Sequence, residues 1–139
     1  MKFRTLVSAA VALATVATGP ASAHGDESVT TNFEQAIPNI PGKSLVALVV
    51  DYPPGGASVP HTHAGSAFIY AHVLSGAIES RVNDGATRIY QAGESWSEPP
   101  NASHPVSRNV SKTEPAKLLA VFIVDSGEKQ LTKFTGEHQ

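Results

Sequence analysis

The sequence predicts an all-β fold, a sandwich or a barrel, and three observations carry that reading. Short runs rich in Val, Ile, Leu, Tyr and Phe recur at roughly 8–12-residue intervals. Ten prolines and eleven glycines punctuate them. No long segment repeats its apolar residues with the 3.6 period of a helix. At 139 residues with 41% apolar content, the chain holds one domain and enough apolar surface for a packed core. Its 10 basic and 12 acidic side chains leave a formal net charge of −2, which gives neither nucleic acid nor an anionic membrane a reason to bind.

The elements follow in chain order. Lys2 and Arg4 form a positive head, 6–17 is a nearly unbroken apolar run, Gly19-Pro20 breaks it, and Ala21-Ser22-Ala23 has the small-x-small form of a cleavage site. The run is too short to span a bilayer, which takes about 20 apolar residues. Residues 1–23 are therefore read as a signal peptide, and the product as a soluble protein that is periplasmic or secreted and begins at His24. Residues 24–39 are polar and pattern-poor and read as an N-terminal arm. The barrel proper is expected over 40–126, followed by a C-terminal tail, 127–139.

Within the barrel, 44–52 (SLVALVVDY) is the first strand, stopped by Pro53-Pro54-Gly55-Gly56. Strands at 58–63, 68–74 and 77–82 follow. Asp84-Gly85 between 77–82 and 87–90 is a hairpin signal. The continuous apolar run 117–124 (KLLAVFIV) predicts a strand buried on both faces.

The chain has no cysteine, so chemistry must come from oxygen and imidazole. His61-Thr62-His63 places two imidazoles on one face of a predicted strand, where they can converge on one ion. His104 follows a Pro-Pro turn, and a return strand would bring it opposite. Three neutral imidazoles suit Fe, Ni, Cu or Zn and leave positions open. Glu98, just before Pro99, is the candidate catalytic base or additional ligand, against the alternative of a solvated strand end. His72 shares a face with Phe68 and Tyr70 and is expected to point away from the metal. His24, as a new N-terminus, is a further chelating group with no partner identified. Phe68, Tyr70, Trp96 and Phe122 are candidates for the pocket wall.

Two motifs carry a family resemblance. Gly55, five residues, His61-x-His63 and later Gly76 resemble the first cupin motif, G-x5-H-x-H-x3-4-E-x6-G. Gly93, five residues, Pro99 and His104 resemble the second, G-x5-P-x-G-x2-H-x3-N. The resemblance implies a small double-stranded β-helix, or jelly-roll barrel, holding one divalent transition metal on His61, His63 and His104. It departs from the pattern in four places, the first being a His63-to-Gly76 spacing one or two residues longer than the motif allows. The motif-one glutamate is absent, with Ala67, Phe68 and Ile69 at the expected positions. Asn101 replaces the motif-two glycine, and Arg108 replaces the asparagine, with Asn109 one step on.

A three-histidine set resembles that of ferrous dioxygenases within the superfamily. The expected function is thus an exported metal-binding cupin and, if an enzyme, an oxidoreductase of dioxygenase type acting on a small organic molecule. Fe2+ is the first expectation for the metal, with Ni2+, Zn2+, Cu2+ and Mn2+ as others. The alternative is a non-catalytic periplasmic cupin that binds or senses a small molecule. Exposed sheet faces of small cupins commonly pair, so a homodimer is expected.

Overall fold

The computed structural model describes residues 25–135, so the predicted signal peptide and His24 lie outside the described residues. Eleven strands and no helix occur among them: β1 (Ser28–Ala36), β2 (Lys43–Tyr52), β3 (His61–His63), β4 (Phe68–Ser75), β5 (Ala77–Arg81), β6 (Arg88–Gln91), β7 (Ser95–Glu98), β8 (Ser103–His104), β9 (Val106–Asn109), β10 (Ala116–Asp125) and β11 (Thr132–Phe134). They form a five-stranded sheet in the order β1-β2-β10-β4-β7 and two three-stranded sheets, β11-β3-β8 and β6-β5-β9. Every pairing is antiparallel.

Alternation along the long strands decides what is buried. On β4, Ile69, Ala71 and Val73 face inward, while Phe68, Tyr70 and Leu74 face solvent. On β10, Leu118, Ala120, Phe122 and Val124 face inward. Two apolar clusters result, one around Tyr52, Val73, Ile78 and Trp96, the other around Val46, Ile69 and Phe122.

The predicted strands at 44–52, 68–74 and 77–82 and the hairpin that follows are present, with β5 paired to β6. Four findings differ from the sequence reading. The arm contains a nine-residue strand, β1, laid antiparallel on β2 with a register irregularity between Thr31 and Phe33. An edge strand needs only one backbone partner, so it can form without an apolar face of its own. Strand β10 is buried on one face only, because its outer residues Leu119, Val121 and Ile123 are partly exposed. Residues 132–134, inside the predicted tail, form β11 against β3. Phe68 (47% exposed) and Tyr70 (44%) lie on the outer face of the large sheet.

Two backbone positions explain the departures from the motifs. Asn101 has φ +61°, the left-handed conformation that a motif glycine would supply and that Asn tolerates best among residues with a side chain. Asn109, not Arg108, does the asparagine's work. It is buried, its Nδ2 donates to the carbonyls of Pro53 (3.1 Å) and Glu114 (2.7 Å), and its Oδ1 accepts from the Ser111 amide. Arg108 instead pairs with Glu79 at the surface.

Candidate metal centre

Strand β3 is three residues long, and it carries two of the three histidines. Alternation turns His61 and His63 inward and leaves Thr62 half-exposed. Strand β8 pairs with β3 so that His104 stands directly opposite His61. The ring centroids of His61 and His63 are 4.8 Å apart, and those of His61 and His104 are 5.2 Å apart. One ligand nitrogen from each of His61, His63 and His104 lies within 4.8 Å of the others, so the trio could hold a metal ion.

Hydrogen bonds aim the rings. The Val59 carbonyl lies 2.7 Å from His61 Nδ1, and the Leu131 carbonyl 3.3 Å from His63 Nδ1. A carbonyl only accepts, so His61 Nδ1 carries the proton and, with the ring neutral, its Nε2 keeps its lone pair; His63 Nδ1 also has the Thr132 hydroxyl 3.4 Å away. Burial pushes the His104 imidazole down to about 4 and lowers His61 as well, so both are neutral at pH 7, as ligation requires.

Glu98 joins this cluster and is not a solvated strand end. It is 2% exposed, with Oε2 3.2 Å from His63 Nε2 and Oε1 3.4 Å from His104 Nδ1. Trp96, two residues back on the same face of β7, donates its Nε1–H to Oε1 at 3.0 Å. Oε2 receives no well-directed hydrogen bond. Burial opposes ionisation of Glu98. The close contact with His63, attraction to His104 and the Trp96 donor together outweigh that and hold the carboxyl below its ordinary range.

His63 Nε2 and Glu98 Oε2 thus face each other 3.2 Å apart in a buried space. A positive charge between them, a proton or a metal, satisfies both. The donor set of three imidazoles fits a divalent transition ion.

The centre opens on a cavity of about 240 Å3. Its wall is mostly apolar, with Leu48, Val50, Ile69, Leu118, Phe122 and Phe134 contributing, and neither Lys nor Arg lines it. Tyr52 supplies a polar spot, its Oη 2.8 Å from both Ser58 and Ser107. Burial raises the Tyr52 phenol, so it stays protonated. Glu27 and Val29 close the cavity from the N-terminal side, where the Asp26 amide donates to the Ala57 carbonyl at 3.1 Å.

Of the four predicted wall aromatics, only Phe122 lines the cavity. Trp96 is buried behind the centre, packed on Tyr90 at a centroid separation of 4.6 Å. His72 lies on the outer side of the sheet, its Nδ1 2.7 Å from Ser95 Oγ. Ser80, whose Oγ is 2.8 Å from His104 Nε2, and the cavity residues Tyr52, Ser58 and Ser107 were missed from the sequence, where nothing marks one buried hydroxyl among many.

Comparison with known proteins gives a consistent picture. A family model described as the cupin domain matches residues 48–122. A search of curated proteins found no match. Among solved structures, the cupin domain of Schizosaccharomyces pombe Cnp3 is 22% identical with a TM-score of 0.58, covering 72% of this chain and 62% of that one. Oxalate oxidase in complex with glycolate is 24% identical with a TM-score of 0.61, covering 84% and 58%. A cupin 2 conserved barrel domain protein from Rhodopseudomonas palustris is 18% identical with a TM-score of 0.60, covering 86% and 74%. The chain spans about three fifths of the length of the first two.

Proposed function

The chain belongs to the cupin family, and from that premise we propose that it is an exported non-haem metal dioxygenase acting on a small organic molecule. His61, His63 and His104 hold the metal, Fe2+ before Ni2+, Zn2+, Cu2+ or Mn2+. The observation that supports this reading is the buried cluster of His61, His63 and His104, whose ligand nitrogens lie within 4.8 Å of one another. A redox-active ion held by these residues would supply the electrons for activating dioxygen, which no side chain of this chain can do.

The chain's own residues do the rest. The Val59 and Leu131 carbonyls fix the ring orientations of His61 and His63. The apolar wall excludes water and favours an apolar substrate body. Tyr52, Ser58 and Ser107 form a small hydroxyl cluster that gives this wall its polar spot. The cavity is smaller than the roughly 300–1,000 Å3 of drug-sized sites, which keeps the substrate small. Neither Lys nor Arg lines the cavity, so a bound metal ion would be the group there able to pair with an anionic substrate.

The outer face of the large sheet supports a homodimer. Phe33, Ala47, Val121 and Tyr70 stand in one row across β1, β2, β10 and β4. An apolar row of this kind is the sort of surface a second copy covers.

A second reading rests on the contact between His63 and Glu98. A proton between His63 and Glu98 also satisfies them, leaving a metal-free pocket that binds or senses a small molecule without turnover. Metal analysis of the exported protein separates the two. Intact mass should show loss of residues 1–23, metal content should approach one ion per chain, and oxygen uptake should appear with a phenol, diketone or thiol from a test panel. A metal-free protein that still binds one of these compounds favours the second reading.

A further inference from the structure

We infer that Glu98 is a fourth protein ligand of the metal centre, delivered from β7 in place of the carboxylate that the family's first motif carries on β4. The inference rests on the metal-centre reading above and goes beyond its three histidines. Counting back from Gly76, the motif places its glutamate at position 69, which is Ile in this chain. Ile69 faces inward, is 1% exposed and lines the cavity. Strands β4 and β7 pair with Ile69 directly opposite Glu98. Residues opposite one another in an antiparallel pair have Cβ atoms about 5 Å apart on the same face. A glutamate at 98 can therefore reach the volume that a glutamate at 69 would fill.

The side-chain geometry agrees. Two ligand atoms each about 2.1 Å from one ion lie about 3.0 Å apart at right angles and about 3.4 Å apart in a tetrahedron. The Glu98 oxygens are 3.2 Å from His63 Nε2 and 3.4 Å from His104 Nδ1. Trp96 holds Oε1 at 3.0 Å, while Oε2 is left without a directed hydrogen bond in a buried site. Among the described residues, the only ion-pair partners of Glu98 are His63 and His104. A buried carboxylate without a full positive charge beside it is costly, and a divalent ion removes that cost. As a ligand, Glu98 fixes the ion and is not the free base that its position before Pro99 suggested. It also gives the site an anionic oxygen, which extends its range to hard ions such as Mn2+.

The test titrates Mn2+ alone into the metal-free full-length protein, its Glu98→Gln variant, and the exchange variant Ile69→Glu with Glu98→Val. Glu98→Gln should weaken Mn2+ binding by more than the about 100-fold limit of losses around, rather than at, a metal. The exchange variant should recover binding to within about tenfold of the parent. The parent labelled with 13C-glutamate gives a second readout that depends on no variant folding: a glutamate carbon hyperfine-coupled to Mn2+ is expected. If the parent binds Mn2+ but Glu98→Gln binds it equally well, or no glutamate carbon couples, this inference falls and the three-histidine centre stands. If the parent binds no Mn2+, Fe2+ or Zn2+, the metal-centre reading fails and takes this inference with it.

Discussion

Ser80 Oγ and His104 Nε2 lie 2.8 Å apart, both buried, with Ser80 on β5 and His104 on β8. This contact commits the far nitrogen of His104 and turns Nδ1 toward Glu98. A hydroxyl both donates and accepts, so Ser80 serves His104 with the ring proton on either nitrogen. It therefore steadies the ring both without metal and with Nδ1 engaged.

Ser80→Ala should weaken metal binding by about 10–100-fold, the usual effect of losing an outer partner of a ligating histidine. Alanine at His61, His63 or His104 should cost more than that, because two imidazoles hold a divalent ion poorly. His72→Ala, on the outer sheet face, should leave metal content at the parental level. Metal analysis after identical dialysis of the five variants checks the ranking. Loss of metal from His72→Ala with retention in His104→Ala would contradict it.

Stability of the metal-free protein should fall with pH in a defined window. Burial holds His104 at about 4, against about 6.5 for an unfolded imidazole. The unfolded chain therefore takes up a proton that the folded chain refuses, so stability rises with pH. The contribution is complete above about pH 6.5, and about 3 kcal/mol is lost as the pH drops toward 4. Burial of His61 acts in the same direction. Glu98, held below its ordinary range, adds a further loss at lower pH as it becomes protonated. Denaturant midpoints that stay constant between about pH 7 and pH 4.5 would refute this.

Asn101 should be replaceable by Gly but not by Ala. At φ +61°, a side chain unable to bond locally costs about 1–2 kcal/mol, whereas Gly carries no such penalty. Denaturant unfolding of Asn101→Gly and Asn101→Ala should separate the two by that amount. Equal stability would mean that the loop relaxes out of this conformation.

The outer sheet face gives a prediction about assembly. Light scattering should return twice the mass of one chain for the parent protein, and a Phe68→Glu variant should shift toward a single chain. Phe68 is 47% exposed, so the charge is tolerated in the monomer and penalised only under a partner. A parent protein that is monomeric at micromolar concentration would remove the dimer.

The sequence made the long strands and the histidine set legible because both rest on alternation. His61 and His63 are two apart on a strand, and that spacing alone puts them on one face. Strands β7, β8, β9 and β11 have two to four residues each, too few to display a period, and their partners are distant in sequence. The burial of Glu98 was hidden for the same reason: it depends on the register of β7 against β4, and the Pro-Pro that follows suggested an exposed end. Ser80 and the Val59 and Leu131 carbonyls were illegible because their roles depend on position and not on residue type. The outward turn of Phe68 and Tyr70 could have been foreseen, since each shares a face with His72.

The leading end of the described chain is part of the cavity wall. Gly25 bridges to Ser58, the Asp26 amide holds the Ala57 carbonyl, and Glu27 and Val29 line the space in front of the histidines. A purification handle or fluorescent reporter fused just ahead of Gly25 would hang at the rim of that space. Ligand titrations on such a fusion would measure the appendage along with the protein. A proteolytic nick ahead of Glu27 would cut the Asp26–Ala57 contact at the rim without touching any histidine.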